Sequence, residues 1–244
     1  MDSNKIPKLK KTKILILVPL ARFSSEYNLL ETTAKQTWAN SNNSEVDIIF
    51  YAGSNSERLE GCDLYLPCEE NIHNLGKKTL LAFEWCQKNY DYDYVFRTNL
   101  GSYINIINML EFIKTASKTH YYCGIGGVNN TYFNRPVQFA SGSGVFLSRD
   151  VVNLIIANQN SWQHTAMDDV AMGELLNALG IILCEDATRL SLCDDEICYQ
   201  QGIKEVSTIP KDQIYHIRLR SNDRKIDAAR MTSLYLQYDN TRAI

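Results

Sequence analysis

The sequence has no CxxC pair, no basic excess, no long apolar run and no low-complexity linker, and each absence removes a class of protein. Without a closely spaced cysteine pair, a structural zinc site has no ligand frame. The seven cysteines, Cys62, Cys68, Cys86, Cys123, Cys184, Cys193 and Cys198, are odd in number and scattered. They read as mostly free, reduced thiols of a cytosolic protein, with one or two bridges among Cys184, Cys193 and Cys198 left open. A formal net charge of −3 argues against a dedicated nucleic-acid binder, which carries a marked basic excess. The apolar run Ile14–Leu17 follows Lys5, Lys8, Lys10, Lys11 and Lys13 and has the outline of a signal peptide. It is far shorter than the roughly 20 residues that span a bilayer, and no small-residue cleavage site ends it. The lysines could touch an anionic membrane surface only weakly. A solvated basic tail over residues 1–12, leading into a buried strand, is the simpler reading.

What is present is an ordinary globular composition, 45% hydrophobic and 22% charged over 244 residues. Ile14–Val18 is β-branched and continuously apolar, as expected of a strand buried on both faces. Further strands are predicted over Val46–Tyr51, Asp63–Leu66, Asp93–Thr98 and Tyr121–Ile125. Helices are predicted over Glu26–Trp38, Asn74–Tyr90, Ile104–Ala116 and Asp150–Gln159. Strands alternating with helices at this spacing imply a three-layer α/β/α sandwich around a mostly parallel, Rossmann-like sheet. Ligands gather beyond the carboxyl ends of the strands of such a sheet. Pro19, Leu20 and Arg22 fall there after the first strand, and Thr98, Asn99, Leu100, Gly101 and Ser102 after a later one. The segment Glu185–Gln201 reads as acidic and irregular. With no repeat or linker, residues 13–244 read as a single domain.

The most informative stretch is Val137–Gly173. It holds a small-residue turn, Ala140-Ser141-Gly142-Ser143-Gly144, a short strand Val145–Leu147, a helix, and the paired carboxylates Asp168-Asp169. Glycines let a backbone approach a bulky ligand, and a carboxylate beside such a pocket is a natural proton acceptor. Aspartates also cap and charge helix starts, so both readings of Asp168 and Asp169 stand at this point.

Taken together, these segments resemble, in order, the inverting GT-A glycosyltransferases of the Fringe and β-1,3-galactosyltransferase group. Ala34–Trp38 resembles that family's early R-x-T-W element, with lysine for arginine. Asn74–Thr79 resembles its N-L-x-x-K-T helix start, and Tyr94–Thr98 the strand that leads into its acidic metal motif. Phe139–Gly144 with Leu147-Ser148 is similar to its glycine-rich turn and strand. Met167-Asp168-Asp169-Val170 with Gly173 is similar to the E-D-V-x-x-G segment that carries its base. The resemblance implies a nucleotide-binding half over about 13–105 and an acceptor half over about 106–244. It also implies transfer from a UDP-sugar donor to a glycan acceptor with β-linkage, and Asp169 as the catalytic base. Lys35, Lys78, Arg97, His216, Arg218 and Arg220 become donor contacts in addition to the residues above. Ser141, Gly142, Ser143, Gly144 and Asp168 become sugar or acceptor contacts. On a strand, His216, Arg218 and Arg220 would share one face; the competing reading is a solvated basic edge.

One departure is large. Where the family has three acidic residues, the last holding Mn²⁺ or Mg²⁺ on the donor, this chain has Asn99-Leu100-Gly101. Metal dependence is therefore doubtful, and Asn99, His216 and Asp168 are the substitutes the sequence offers, the first two foremost. Hard cations prefer carboxylate oxygens, so the alternative is a non-catalytic GT-A domain that binds nucleotide or glycan. A nucleotidyltransferase would show a glycine-rich loop after the first strand, which Val18–Arg22 lacks. The absence of a membrane anchor points to a soluble, cytoplasmic enzyme, in keeping with bacterial and viral relatives of this group.

Overall fold

The computed structural model describes residues 9–22, 24–193, 197–199 and 213–239. Its strands are Lys10–Lys11 (β1), Ile14–Pro19 (β2), Val46–Ser54 (β3), Arg58–Glu60 (β4), Asp63–Pro67 (β5), Tyr90–Asp91 (β6), Tyr94–Thr98 (β7), Ser102–Ile104 (β8), Tyr122–Asn129 (β9), Val137–Ser148 (β10), Arg189–Cys193 (β11), Ile197–Tyr199 (β12) and His216–Arg220 (β13). Its α-helices are Asn28–Gln36 (α1), Leu75–Asn89 (α2), Ile106–Phe112 (α3), Arg149–Ala157 (α4), Asp168–Ala178 (α5) and Arg224–Asp239 (α6).

Every residue of β2 is buried, and alternate side chains supply two separate cores. Ile14, Ile16 and Val18 pack with Leu30 and Ala34 of α1, with Trp38, and with Met231 of α6. Leu15 and Leu17 point the other way, onto Leu80 and Phe83 of α2, Val151 and Ile155 of α4, and Leu175 and Leu176 of α5. The period of two along the strand thus places a helical layer on each face of the sheet. Each fully buried Leu or Ile contributes about 1.5–3 kcal/mol relative to exposure, which is why the run tolerates no polar residue.

The main sheet is ordered β4-β5-β3-β2-β7-β10-β9. Strands β5, β3, β2 and β7 are its parallel heart, as the alternating pattern implies. Antiparallel strands flank them, β4 beside β5 on one edge and β10 followed by β9 on the other. A second sheet, β12-β11-β13-β8, lies beyond the end of β7. No helix of the described residues is long and apolar enough to cross a membrane.

Three segments differ from the sequence-based expectation. The small-residue stretch Ala140–Gly144 is not a turn between elements but a bulge inside the twelve-residue β10. Between Ala140 and Val145, β10 advances five residues while its partner β9 advances only from Gly126 to Gly124. A bulge of this kind re-aims backbone and side chains out of the sheet. Glu185–Gln201, expected to be irregular, contains β11 and β12, because β11 pairs with β13, distant in the chain, on one side and with β12 on the other. The start of the predicted Ile104–Ala116 helix is consumed by β8, which pairs with β13. Asn105 then caps α3 by accepting from the Asn108 N–H. Past α5, Gly180 takes a positive φ of 76° and its N–H donates to the Asn177 carbonyl, the expected C-terminal cap. Cys62, Cys68, Cys86, Cys123 and Cys184 carry free thiols; the side chains of Cys193 and Cys198, and the tail lysines Lys5 and Lys8, lie outside the described residues.

Candidate active site

The carboxyl ends of β2 and β7, the β10 bulge, the first turn of α5 and one face of β13 converge on a cavity of ≈ 430 Å³. That size lies within the range of small-molecule sites. One wall is organised by Arg97 of β7, which is almost wholly buried. Its Nη2 donates to Asp168 Oδ2 at 2.6 Å, and its Nη1 donates to the Gly142 carbonyl in the bulge. Burial opposes the charge on Arg97, but Asp168 and Tyr51 outweigh it and hold the guanidinium firmly protonated. Asp168 also accepts from Thr79 Oγ1 at 3.2 Å, and Thr79 is in turn bonded to the Tyr51 hydroxyl at 3.1 Å. Asp168 therefore ties the start of α5 to the sheet.

Asp169 has a different setting. Its Oδ2 accepts from the Gly142 N–H and its Oδ1 from the Val170 N–H, each at 2.9 Å. Burial first, and then the neighbouring Asp168 charge, push its pKa up, against the opposing pull of the Gly142 N–H and Arg97. Both aspartates occupy the first turn of α5, where the helix dipole favours anions. The helix-start reading and the site reading are thus both satisfied, since the start of α5 is itself part of the cavity wall.

The opposite wall is basic. Arg189 of β11, Arg218 and Arg220 of β13, and Arg224 at the start of α6 all line the cavity. The Arg189 Nη1 donates to the hydroxyls of Ser141, at 3.2 Å, and Ser143, so it braces the bulge from outside. Arg218 donates to Asn99 Oδ1. Burial, and then neighbouring guanidinium groups, bring Arg189 and Arg218 down to about 10, so both remain charged at neutral pH. Arg224 is paired with Asp227 at 2.8 Å.

The structure gathers around this cavity Pro19, Leu20, Lys78, Arg97, Asn99, Leu100, Gly101, Ser141, Gly142, Ser143, Asp168, Asp169, Arg218 and Arg220 from the expected set. Lys78 is a wall rather than a free cation, because its ammonium donates to Glu70 at 2.8 Å and to the Leu20 carbonyl at 2.7 Å. Other expected residues lie elsewhere. Arg22 and Lys35 turn away and share Glu31 and Asp63 as partners at 2.6 to 3.2 Å. β2 ends at Pro19, so by Arg22 the chain has already reached the flank where those two acids neutralise it. Thr98, Gly144 and His216 lie beneath the floor. Thr98 Oγ1 donates to the Ser143 carbonyl at 2.6 Å. His216 Nε2 meets Ser102 Oγ at 3.0 Å and its ring stands edge-on to Phe96. A β-carbon on Gly144 would come within 2.4 Å of His216 Cε1, so that glycine is required by close packing. Burial, and then Arg189 and Arg218, hold His216 well below its usual pKa and therefore neutral. The period-two expectation for β13 holds, but it runs from a buried imidazole outward to exposed Arg220.

The paired substitutes Asn99 and His216 do not fit a divalent cation. The Asn99 amide oxygen accepts from Arg218 and from Ser102, and His216 faces Ser102 below the floor. Among the described residues no group of three or more His, Cys, Asp or Glu could hold a metal ion. Arg189, Arg224, Met167 and Ile72 line the cavity and were not anticipated. Arg189 carried one legible signal, the alternation of Leu190 and Leu192 with Arg189 and Ser191, which marks a strand.

No protein-family model matches the chain, and no curated protein matches it in sequence. In three dimensions it shares the GT-A-type α/β fold of a glycosyltransferase involved in the glycosylation of the major capsid of PBCV-1. The TM-score is 0.53 at 12% identity, covering 91% of this chain and 99% of that one. The galactosyltransferase LgtC, in complex with donor and acceptor sugar analogues, aligns at a TM-score of 0.42 and 10% identity over 92% and 95% of the two chains. An active-site mutant of LgtC aligns at 0.42 and 11%, over 91% and 95%. These two are too distant to establish a shared fold.

Proposed function

We propose that this protein is an inverting glycosyltransferase, moving a sugar from a UDP-sugar to a hydroxyl of a glycan acceptor and forming a β-linkage. The observation that carries this reading is one cavity with a raised-pKa carboxylate, Asp169, on one wall and a bank of arginines on the other. Such an arrangement separates the two charges that the reaction develops. Asp169 takes the acceptor hydroxyl proton as that oxygen bonds to the anomeric carbon. The carbon–oxygen bond to the diphosphate breaks on the opposite face, and its electron pair leaves with UDP toward the guanidinium groups. Burial suits Asp169 to this role by making it more basic than a solvated aspartate. The two backbone N–H groups fix its orientation and leave proton transfer on the cavity side.

The test is incubation with a panel of UDP-sugars and oligosaccharide acceptors, with the product anomer read by NMR. The PBCV-1 enzyme's part in capsid glycosylation makes a surface glycan the first acceptor to try. A β-linked product from an α-linked donor, lost in Asp169→Asn with UDP affinity kept, is the expected result. An α-linked product, or full activity in Asp169→Asn, would overturn the assignment of Asp169 as base. UDP binding without turnover of any donor would favour a non-catalytic domain.

A further inference from the structure

The cation position of the donor site is closed here, and the residues that close it are themselves cationic. Gly101 sits just past the end of β7, and its carbonyl accepts from the Leu219 N–H at 2.8 Å. A β-carbon on Gly101 would stand 3.0 Å from Arg218 Nη1 and 3.0 Å from the Leu219 carbonyl oxygen. A side chain at that position would need these neighbours to give by a few tenths of an ångström, and an aspartate there would set its carboxylate against the Arg218 guanidinium. The other oxygens nearby already take part in the protein's own bonds. Asn99 Oδ1 accepts from Arg218 and Ser102, Asp168 Oδ2 accepts from Arg97 and Thr79, and the two Asp169 oxygens each accept from a backbone N–H.

Arg218, by contrast, has charge to spare. Among the described residues neither Arg218 nor Arg220 has a carboxylate within 4.0 Å, although Arg218 is largely buried. Arg218 donates to an amide oxygen and a backbone carbonyl, neither of them an anion. Guanidinium groups crowded into one cleft repel each other and lose hydration, and for Arg218 these costs outweigh the pull of Asp227; an anion entering the cleft would relieve them. A planar guanidinium donates two parallel N–H bonds to a phosphate, which an ammonium cannot do.

We infer that the site holds a diphosphate without a divalent cation, and that the Arg218 guanidinium, seated over Gly101 and Asn99, occupies the cation's place with Arg189 and Arg220 beside it. This deepens the UDP-sugar reading and rests on it for the identity of the ligand, though not for its diphosphate chemistry. The leaving diphosphate's charge is then met by arginine N–H groups alone, and no further co-reactant is needed.

The experiment is titration calorimetry of the whole chain with UDP and with inorganic pyrophosphate, in EDTA and again with Mn²⁺. The expected result is affinity equal within about threefold in the two conditions. Arg218→Gln should weaken both ligands at least tenfold, and Arg218→Lys should recover part of the loss. Gly101→Asp, which sets a carboxylate against Arg218, should weaken binding in EDTA. Far-UV circular dichroism verifies that each variant is folded, and the EDTA comparison needs no variant at all. Binding that requires Mn²⁺, no binding of either ligand, or Arg218→Gln indistinguishable from wild type would overturn the inference. Arg218-dependent binding in EDTA without transfer from any UDP-sugar would leave this inference standing and remove the transferase reading. Transfer that occurs only with Mn²⁺ would do the reverse.

Discussion

Replacing Arg97 with methionine keeps most of the side-chain volume and removes the charge that holds the site together. Arg97 and Asp168 are 5% and 3% exposed and 2.6 Å apart, so the substitution strands Asp168 as a buried carboxylate. It also leaves the Gly142 carbonyl without its side-chain donor. Breaking a buried pair by deleting one partner costs about 3–5 kcal/mol, because the remaining charge keeps its desolvation penalty. The lost bond to the bulge adds about 1 kcal/mol. In a domain of this size each kcal/mol moves the melting temperature by about 2–4 °C, so a drop on the order of 10 °C is expected. Urea denaturation of Arg97→Met supplies the free energy directly. The double variant Arg97→Met/Asp168→Leu should recover most of the loss, since two apolar groups need no mutual compensation. A single variant within about 1 kcal/mol of wild type, or a double variant as unstable as the single, would refute the claim that this pair is a desolvated, mutually dependent unit.

Other contacts make equally specific demands. Asp169→Asn should lower the transfer rate by about 10²–10⁴-fold, as expected for loss of a general base, with UDP affinity unchanged by calorimetry. The acid limb of kcat/KM should lie above the ordinary aspartate range, because Asp169 must be deprotonated to act and its pKa is raised; a limb at or below that range would contradict the assignment. His216 is neutral in the fold with its pKa depressed, so the unfolded chain binds the extra proton below about pH 6.5. Stability from this group is therefore full above that pH and lost as pH falls, by at most about 1.4 kcal/mol per pH unit. His216→Gln should flatten that slope in denaturation series at pH 7, 6 and 5. Gly144→Ala should destabilise by about 1–3 kcal/mol through overpacking against His216. Arg22→Ala should leave UDP affinity unchanged, since its partners are Glu31 and Asp63, which do not line the cavity; weakened binding would restore it to the donor site.

Much of the fold was readable from local pattern. Ile14–Val18 could only be a doubly buried strand, and the glycine-spaced stretch before Asp168-Asp169 marked the half of the chain where a pocket forms. What failed to show were features made by partners distant in the chain. Arg189 and Ser191 look like surface residues until β13, much further along the chain, pairs with their strand and the bulge accepts the Arg189 guanidinium. Arg22 and Lys35 look like donor contacts until Glu31 and Asp63 close around them.

Local pattern settled the α/β layering, the placement of the two aspartates at a helix start, and the absence of any acidic side chain over Asn99–Gly101. Those follow from periodicity and residue identity, which act over a few residues. It took the folded arrangement to make Asp168 a structural anchor while Asp169 faces the cavity, to make His216 a neutral floor residue, and to seat Arg218 over Gly101 and Asn99. Those outcomes depend on burial and on which charge meets which, and electrostatic energies in a low-dielectric interior are set by distances across the fold rather than along the chain.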